Sequence, residues 1–238
     1  MATRYNYTGG IVTNGLVLNL DAAKVDSYPG TGTTWRDISG NNNNGTLTNG
    51  PTFSGIGKQA SIVFDGTNDY VDCGTTNIIP GSWTVSTWIK FQSKSGASVY
   101  FGRSGTSPNY DQTAIIAWVP QYSNRFVASG KTTTGTYLSS CSSSFVPTNG
   151  VIYNVVGTFD TSSTVINLYI NGALDNTKTV GTLFTTGSSL SNQIGCSDGT
   201  SPGNFTSGSI YNVQVYNRAL SATEVSQNFN ALRGRYGI

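Results

Sequence analysis

The sequence predicts an all-β protein: two antiparallel sheets packed face to face, with one short helix near the C-terminus. Three observations carry this. Short runs of β-branched and aromatic residues recur along the 238 residues, with apolar positions alternating. Clusters of Gly, Asn, Ser and Thr separate those runs. A single stretch, close to the end, has helical spacing and a helix-start signature. Strands of this kind each hide one face, and stacking two sheets hides both. No linker or repeat divides the chain, so we expect one domain over residues 16–233, between an N-terminal arm (1–15) and a C-terminal tail (234–238).

Taken in order, the arm is polar and aromatic and ends in the turn Asn14-Gly15. Leu16, Leu18 and Leu20 then share one face of a strand ending at Asp21. Residues 26–57 form an irregular excursion rich in Gly and Asn, anchored by Trp35, Leu47 and Phe53. Residues 61–72 read as strand, tight turn, strand. Ile62 and Phe64 alternate against Val63, Gly66 supplies a positive φ, and Tyr70 and Val71 restart the β-type residues. Residues 83–91 give the clearest strand, with Trp83, Val85, Ile89 and Phe91 on one face and Ser86, Trp88 and Lys90 on the other. Further strands are expected at 99–101, 113–119, 125–128, 151–159 and 164–170. The last of these turns at Asn171-Gly172, a strong hairpin signal, and resumes at Ala173. In residues 209–216, Tyr211, Val213 and Val215 oppose Ile210, Asn212 and Gln214. The helix runs from Ala222 to Arg233. Ser221 and Glu224 form a capping box, Leu220 can staple against Val225, and Val225, Phe229 and Leu232 make the apolar stripe. Gly234 is the expected stop.

Charged residues are only 10% of the chain and the net charge is +2, with no basic run. This argues against nucleic acid as a partner. No stretch approaches the ~18 apolar residues of a membrane helix, so no membrane insertion is expected. The three cysteines, Cys73, Cys141 and Cys196, have neither metal-ligand spacing nor an even count, and read as buried small hydrophobes of a protein made in a reducing cytoplasm. The first residues lack the apolar core of a secretion signal.

Several matching pieces resemble the concanavalin A-like jelly rolls, and within them the laminin G-like and pentraxin-like group. They are Trp35-Arg36-Asp37-Ile38-Ser39-Gly40, Asn43-Asn44-Gly45-Thr46-Leu47, the stretch from Val63 to Val71, the strand from Trp83 to Ile89, Leu168-Tyr169-Ile170-Asn171-Gly172, and the close from Ile210 to Ser221. Together they span nearly the whole chain. The resemblance implies a two-sheet antiparallel jelly-roll sandwich. The two ends, Met1 to Gly10 and Phe229 to Tyr236, look like those of tailed-bacteriophage structural proteins that carry this jelly roll.

Four chemistries are open to these residues. Relatives of this fold include glycoside hydrolases, and a retaining glycosidase needs two carboxylates ~5–5.5 Å apart. This chain has one glutamate, Glu224, already engaged in a cap, and no histidine. No enzyme is expected. For metal, Asn68 and Asp69 offer hard oxygens suited to calcium. In the pentraxin-like group the matching pair binds calcium with acids from a later loop. Asp198 falls on one such position, and Thr206 stands where a further acid would be. The other reading is that Asp65, Asn68 and Asp69 tighten their turn through side-chain-to-backbone hydrogen bonds. For glycan binding, aromatic, amide and carboxylate residues at Tyr110, Asp111, Trp118 and Asn204 are the candidates, with Tyr122 beside them; aromatics of this kind belong more often to a core or an interface. For assembly, Tyr5 and Tyr7 in the arm and Arg233, Arg235 and Tyr236 at the other end could dock on a partner, or fray in solution.

These readings combine into one expectation. The chain would be a non-enzymatic virion structural protein of a bacteriophage, a capsid decoration or a tail or fibre component. It would be made in the host cytoplasm, would contact other virion proteins as a homo-oligomer, and could bind host-surface glycans. The alternative is a secreted or cell-surface lectin-like adhesion module.

Overall fold

The computed structural model describes residues 10–104, 112–133, 138–183, 190–197 and 202–238. Two eight-stranded sheets stack face to face. The first runs in the order β14 (Ala173–Thr179), β13 (Val165–Ile170), β12 (Ile152–Asp160), β7 (Trp83–Lys90), β16 (Ser207–Tyr216), β5 (Ser61–Asp65) and β4 (Thr52–Ser54). Its eighth strand, β1 (Leu16–Asp21), pairs with β16 over Asn212–Tyr216, beyond the part of β16 that pairs with β5. The second sheet runs β11 (Leu138–Ser142), β10 (Arg125–Lys131), β9 (Gln112–Val119), β8 (Ser98–Ser104), β15 (Ser191–Ile194), β6 (Tyr70–Asp72), β3 (Gly45–Thr48) and β2 (Thr34–Trp35). Neighbouring strands pair antiparallel. The helix α1 (Ala222–Arg233) lies over the outer face of the first sheet. This is the jelly-roll sandwich that the sequence led us to expect.

Alternation sets the core. Trp83, Val85, Ile89 and Phe91 face inward from the first sheet and meet Phe101, Ile116 and Phe126 from the second. The sheets approach closely at Gly157 in β12. A Cβ there would lie 2.6 Å from Ile116 Cδ1 and 2.7 Å from Ala128 Cβ, so the position is glycine for want of room. The β13–β14 hairpin turns where expected, with Asn171 at φ 51° and Gly172 at φ 77°, the left-handed pair of a two-residue hairpin loop.

Local expectation and structure part in several places. Residues 61–72 are not a hairpin: β5 belongs to the first sheet and β6 to the second, so the turn between them carries the chain across the sandwich. The excursion at 26–57 contains the short strands β2, β3 and β4, and its Phe53 is 36% exposed against Tyr28 rather than buried. In β16 a register shift between Ile210 and Asn212 changes the phase, so that Ile210, Val213 and Val215 all face the core while Tyr211 turns outward beneath the helix. Gly234 sits at φ −62°, right-handed, so the helix runs into further turns instead of stopping on a left-handed glycine.

The capping box forms as expected. Glu224 N–H donates to Ser221 Oγ at 3.3 Å and Ser221 N–H donates to Glu224 Oε2 at 2.9 Å. Leu220 and Val225 share one apolar cluster with Tyr216. The tail is part of the body. Tyr236 is 6% exposed and stacks on Trp88 at 4.4 Å, while Phe229 lies parallel to the same indole at 5.5 Å. Arg235 reaches back to Asp21 in β1. The expected docking role of Arg235 and Tyr236 is therefore corrected: both are used inside the fold, because a buried face of Trp88 and a buried carboxylate each needed a partner. Arg233 lies over the Phe229 ring, 5.9 Å from its centre. Tyr5 and Tyr7 lie outside the described residues.

Candidate functional site

The outer face of the second sheet carries a groove where β8, β9, β10 and β11 lie side by side. Its floor is apolar. Val99, Ile115, Ala117 and Val127 cluster there at 1–4% exposure, on the face opposite the core. Both faces of β9 are thus apolar: Ala114, Ile116 and Trp118 point inward, and Ile115, Ala117 and Val119 line the outside. The groove encloses about 200 Å³.

Polar residues stand along its two sides. On the β11 side, Pro120–Tyr122 makes a 3-10 turn with proline at its start, and Ser123 and Asn124 follow at φ 59° and 60°. That fixed turn lifts Tyr122 off the sheet, 40% exposed, with Ser140 Oγ 3.4 Å from its hydroxyl. On the β8 side, Asn204 is fastened by its backbone, whose carbonyl accepts from Val99 N–H at 3.0 Å. Its side-chain amide donates to Ser197 Oγ at 3.2 Å. Ser197 and Gly203 exchange two backbone hydrogen bonds of 3.0 and 2.7 Å and so close the loop between them. An aromatic ring on one side, amides and hydroxyls around it and an apolar floor can hold a small polar molecule with an apolar face.

The other glycan candidates fall elsewhere. Trp118 is 3% exposed and meets Phe91 edge-on at 5.4 Å within the core, so it is not an open stacking platform. Tyr110 and Asp111 lie outside the described residues. Among the described glycan candidates Asn204 and Tyr122 reach the groove, joined by Gln121, which the sequence did not single out.

The turn at residues 65–69 is held by its own side chains. Asp65 Oδ1 accepts from Thr67 N–H at 2.7 Å and Asn68 N–H at 3.3 Å, and Asp69 Oδ2 accepts from Asp65 N–H at 3.0 Å. The bond from Thr67 leads the causes that lower the Asp65 pKa, whereas burial raises that of Asp69. Asn68 is exposed, and its backbone carbonyl accepts from the Asn49 side chain. No group of three or more Asp, Glu, Cys or His converges among the described residues. Asp69 Oδ2 is engaged on an amide, and two side chains alone fall short of the six to eight oxygen ligands that calcium takes. Asp198 lies outside the described residues. Thr206, at the position where an acid was sought, is buried and donates from Oγ1 to Val99 O at 2.8 Å. Lys94 ties this region together, donating from Nζ to the carbonyls of Gly66, at 3.1 Å, and Phe205.

Glu224 is not arranged as a general acid. Arg218 grips it at 2.6 and 3.0 Å, and this pairing, followed by the Ser221 amide, lowers its pKa to about 2. It is ionised at neutral pH, and protonating a leaving group needs the opposite shift. The cysteines Cys73, Cys141 and Cys196 are buried, and burial pushes the Cys141 thiol up to about 11, far from a reactive thiolate.

Comparison with known proteins bears on the fold. A family model described as concanavalin A-like lectin/glucanases superfamily matches residues 65–226. Domain 4 of AbnA, an extracellular arabinanase of Geobacillus stearothermophilus solved with arabinotriose, superposes with a TM-score of 0.69 at 18% identity, covering 90% of this chain and 97% of that one. The binding domain of Paraclostridial Mosquitocidal Protein 1 superposes at 0.67 and 16% identity, over 92% of this chain and 52% of its own. For Trypanosoma rangeli sialidase in complex with sialic acid the values are 0.62 and 16%, over 93% of this chain and only 33% of the sialidase. At these identities the likeness is one of fold. No curated protein sequence matches the chain.

Proposed function

The chain belongs to the concanavalin A-like lectin/glucanase superfamily, and on that premise we propose that it is a non-catalytic, lectin-type module that binds carbohydrate in the groove on the outer face of its second sheet. The observation that carries this is the pairing of Tyr122 and Asn204 across an apolar floor. A pyranose ring has an apolar face for the tyrosine and hydroxyls for the amides, and the fold fixes both walls before any ligand arrives. At about 200 Å³ the groove is smaller than the ~300–1,000 Å³ of sites that enclose drug-sized molecules. It suits one residue of a longer glycan, with the rest in solvent.

The same reading places the module on a bacteriophage particle, as a capsid, tail or fibre component with host-surface glycans as targets. A surface rich in hydroxyls and amides supports this setting, since few ions need desolvating when such surfaces pack together. Two measurements test the proposal. Fluorescently labelled full chain on a glycan array should give a small set of related hits, and silence there would remove the carbohydrate. Fixed copy number in purified particles supports the virion setting, and fractionation with cells overturns it.

A further inference from the structure

Five Asn-Gly pairs punctuate the chain, at 14–15, 44–45, 49–50, 149–150 and 171–172. This dipeptide has a chemistry of its own. The backbone nitrogen of the glycine, unshielded for want of a neighbouring Cβ, can attack Cγ of the asparagine. The new C–N bond closes a cyclic imide, and the side-chain nitrogen leaves as ammonia. Water then opens the ring at either carbonyl and yields aspartate or isoaspartate, a carboxylate in place of the amide. Neither an oxidant nor an enzyme is required. What is required is freedom for the side chain to bring its Cγ onto the next nitrogen.

Four of the pairs are held away from that geometry. Asn44 Oδ1 accepts from Asp37 N–H at 2.8 Å, and Gly45 is buried in β3. Asn49 Nδ2 donates to Asn68 O at 2.9 Å. Asn149 is fixed at both ends of its amide: Oδ1 accepts from Ser93 N–H at 2.7 Å and Nδ2 donates to Ser93 Oγ at 3.0 Å. Its attacking partner is engaged as well, since Gly150 N–H donates to Phe91 O at 2.8 Å. Asn171 Oδ1 accepts from Asn154 N–H at 2.9 Å.

Asn14 differs from all four. It is exposed, and its side chain makes no hydrogen bond to the described residues; only its backbone carbonyl is engaged, accepting from Arg218 Nε at 2.9 Å. Its turn is closed by Leu16 N–H donating to Thr13 O at 3.1 Å, with Gly15 at φ 78°.

We propose that Asn14-Gly15 is a site of spontaneous deamidation in the folded protein, and that the fold shields the other four pairs. Conversion places a carboxylate beside Arg218. As isoaspartate it also adds a backbone carbon to the turn that leads into β1. On the other side of that turn the chain is strapped to α1, where Gln227 Nε2 donates to Gly10 O at 2.9 Å and Asn228 Oδ1 accepts from Val12 N–H at 2.8 Å. The modification thus alters the link between strap and strand. Neither Asn14 nor Gly15 lines the groove, so the site is independent of the glycan reading.

The test keeps the full chain folded at mildly alkaline pH beside a sample unfolded in urea, until the urea sample has converted at all five pairs. Peptide mapping reads the gain of about 1 Da at each asparagine and separates aspartate from isoaspartate. In the folded sample Asn14 should convert, and the other four at least about fivefold more slowly, each having a hydrogen bond to break first. Asn14→Gln should abolish the fast conversion, because the longer side chain closes a larger ring. An unmodified Asn14 in the folded sample, any of the four keeping pace with it, or fast conversion persisting in the variant peptide would each overturn the proposal.

Discussion

Arg235 holds Asp21 through two parallel hydrogen bonds, Nη1 to Oδ2 at 2.7 Å and Nη2 to Oδ1 at 2.8 Å, across 214 residues of chain. The side chains are 12% and 6% exposed. Burial is the largest single influence and works against the guanidinium's charge, but the hydrogen bonds to Asp21 together with the charge interactions of Tyr236 and Asp21 outweigh it and raise the Arg235 pKa. Removing one partner leaves the other charged in a dry site, so Arg235→Leu should cost about 3–5 kcal/mol. Arg235→Lys, unable to bond bidentately, should fall between it and the wild type. Urea denaturation of the three proteins checks the order.

Gly157 tests the spacing of the sheets. Gly157→Ala should destabilise by about 1–3 kcal/mol through overpacking against Ile116 and Ala128. The double variant Gly157→Ala, Ile116→Val should recover part of the loss in the same assay.

Glu224 predicts an acid response of the helix. Its folded pKa is about 2, below the ordinary glutamate value of 4.5, so its contribution is complete above about 4.5 and is lost as pH falls through about 2. Helical circular dichroism should decline across that window. Glu224→Gln should remove the pH dependence and cost ~1 kcal/mol of cap and ion-pair stability at neutral pH.

The turn at 65–69 closes on its own hydrogen bonds, so the Tm in excess calcium and in excess chelator should coincide. A rise with calcium would show that the loop bearing Asp198 brings ligands the turn lacks.

Tyr122→Ala should lower affinity for any array-positive glycan at least tenfold while leaving the Tm within experimental scatter, because the ring is 40% exposed. Asn204→Ala should weaken the same glycan less, its backbone anchor to Val99 being intact. Calorimetric titration reads both.

Much of the fold could be read from local pattern. Strands such as β7, with large apolar residues on alternate positions, announced themselves, and so did the Asn171-Gly172 hairpin and the capping box. β11 and β15 were missed because Leu-Ser-Ser-Cys-Ser and Ser-Asn-Gln-Ile have little β preference; their neighbours hold them in the sheet. The 65–69 turn looked like a hairpin because residue type fixes a turn's shape but not the sheet that receives its far end. Trp118 misled for a related reason: with both faces of β9 apolar, alternation could not say which one was inside. Asp21–Arg235 left no local trace, as its partners lie at opposite ends of the chain.

The place of β16 bears on how the molecule comes into being. It pairs with β7 on one side and with β5 and β1 on the other, yet it begins at Ser207. A nascent chain that has emerged only to residue 206 therefore has its first sheet split in three, with β1 unpaired and β7 and β5 offering raw edges to any neighbour. Closure waits for the late strand, and truncation before it should yield aggregate rather than a smaller folded product.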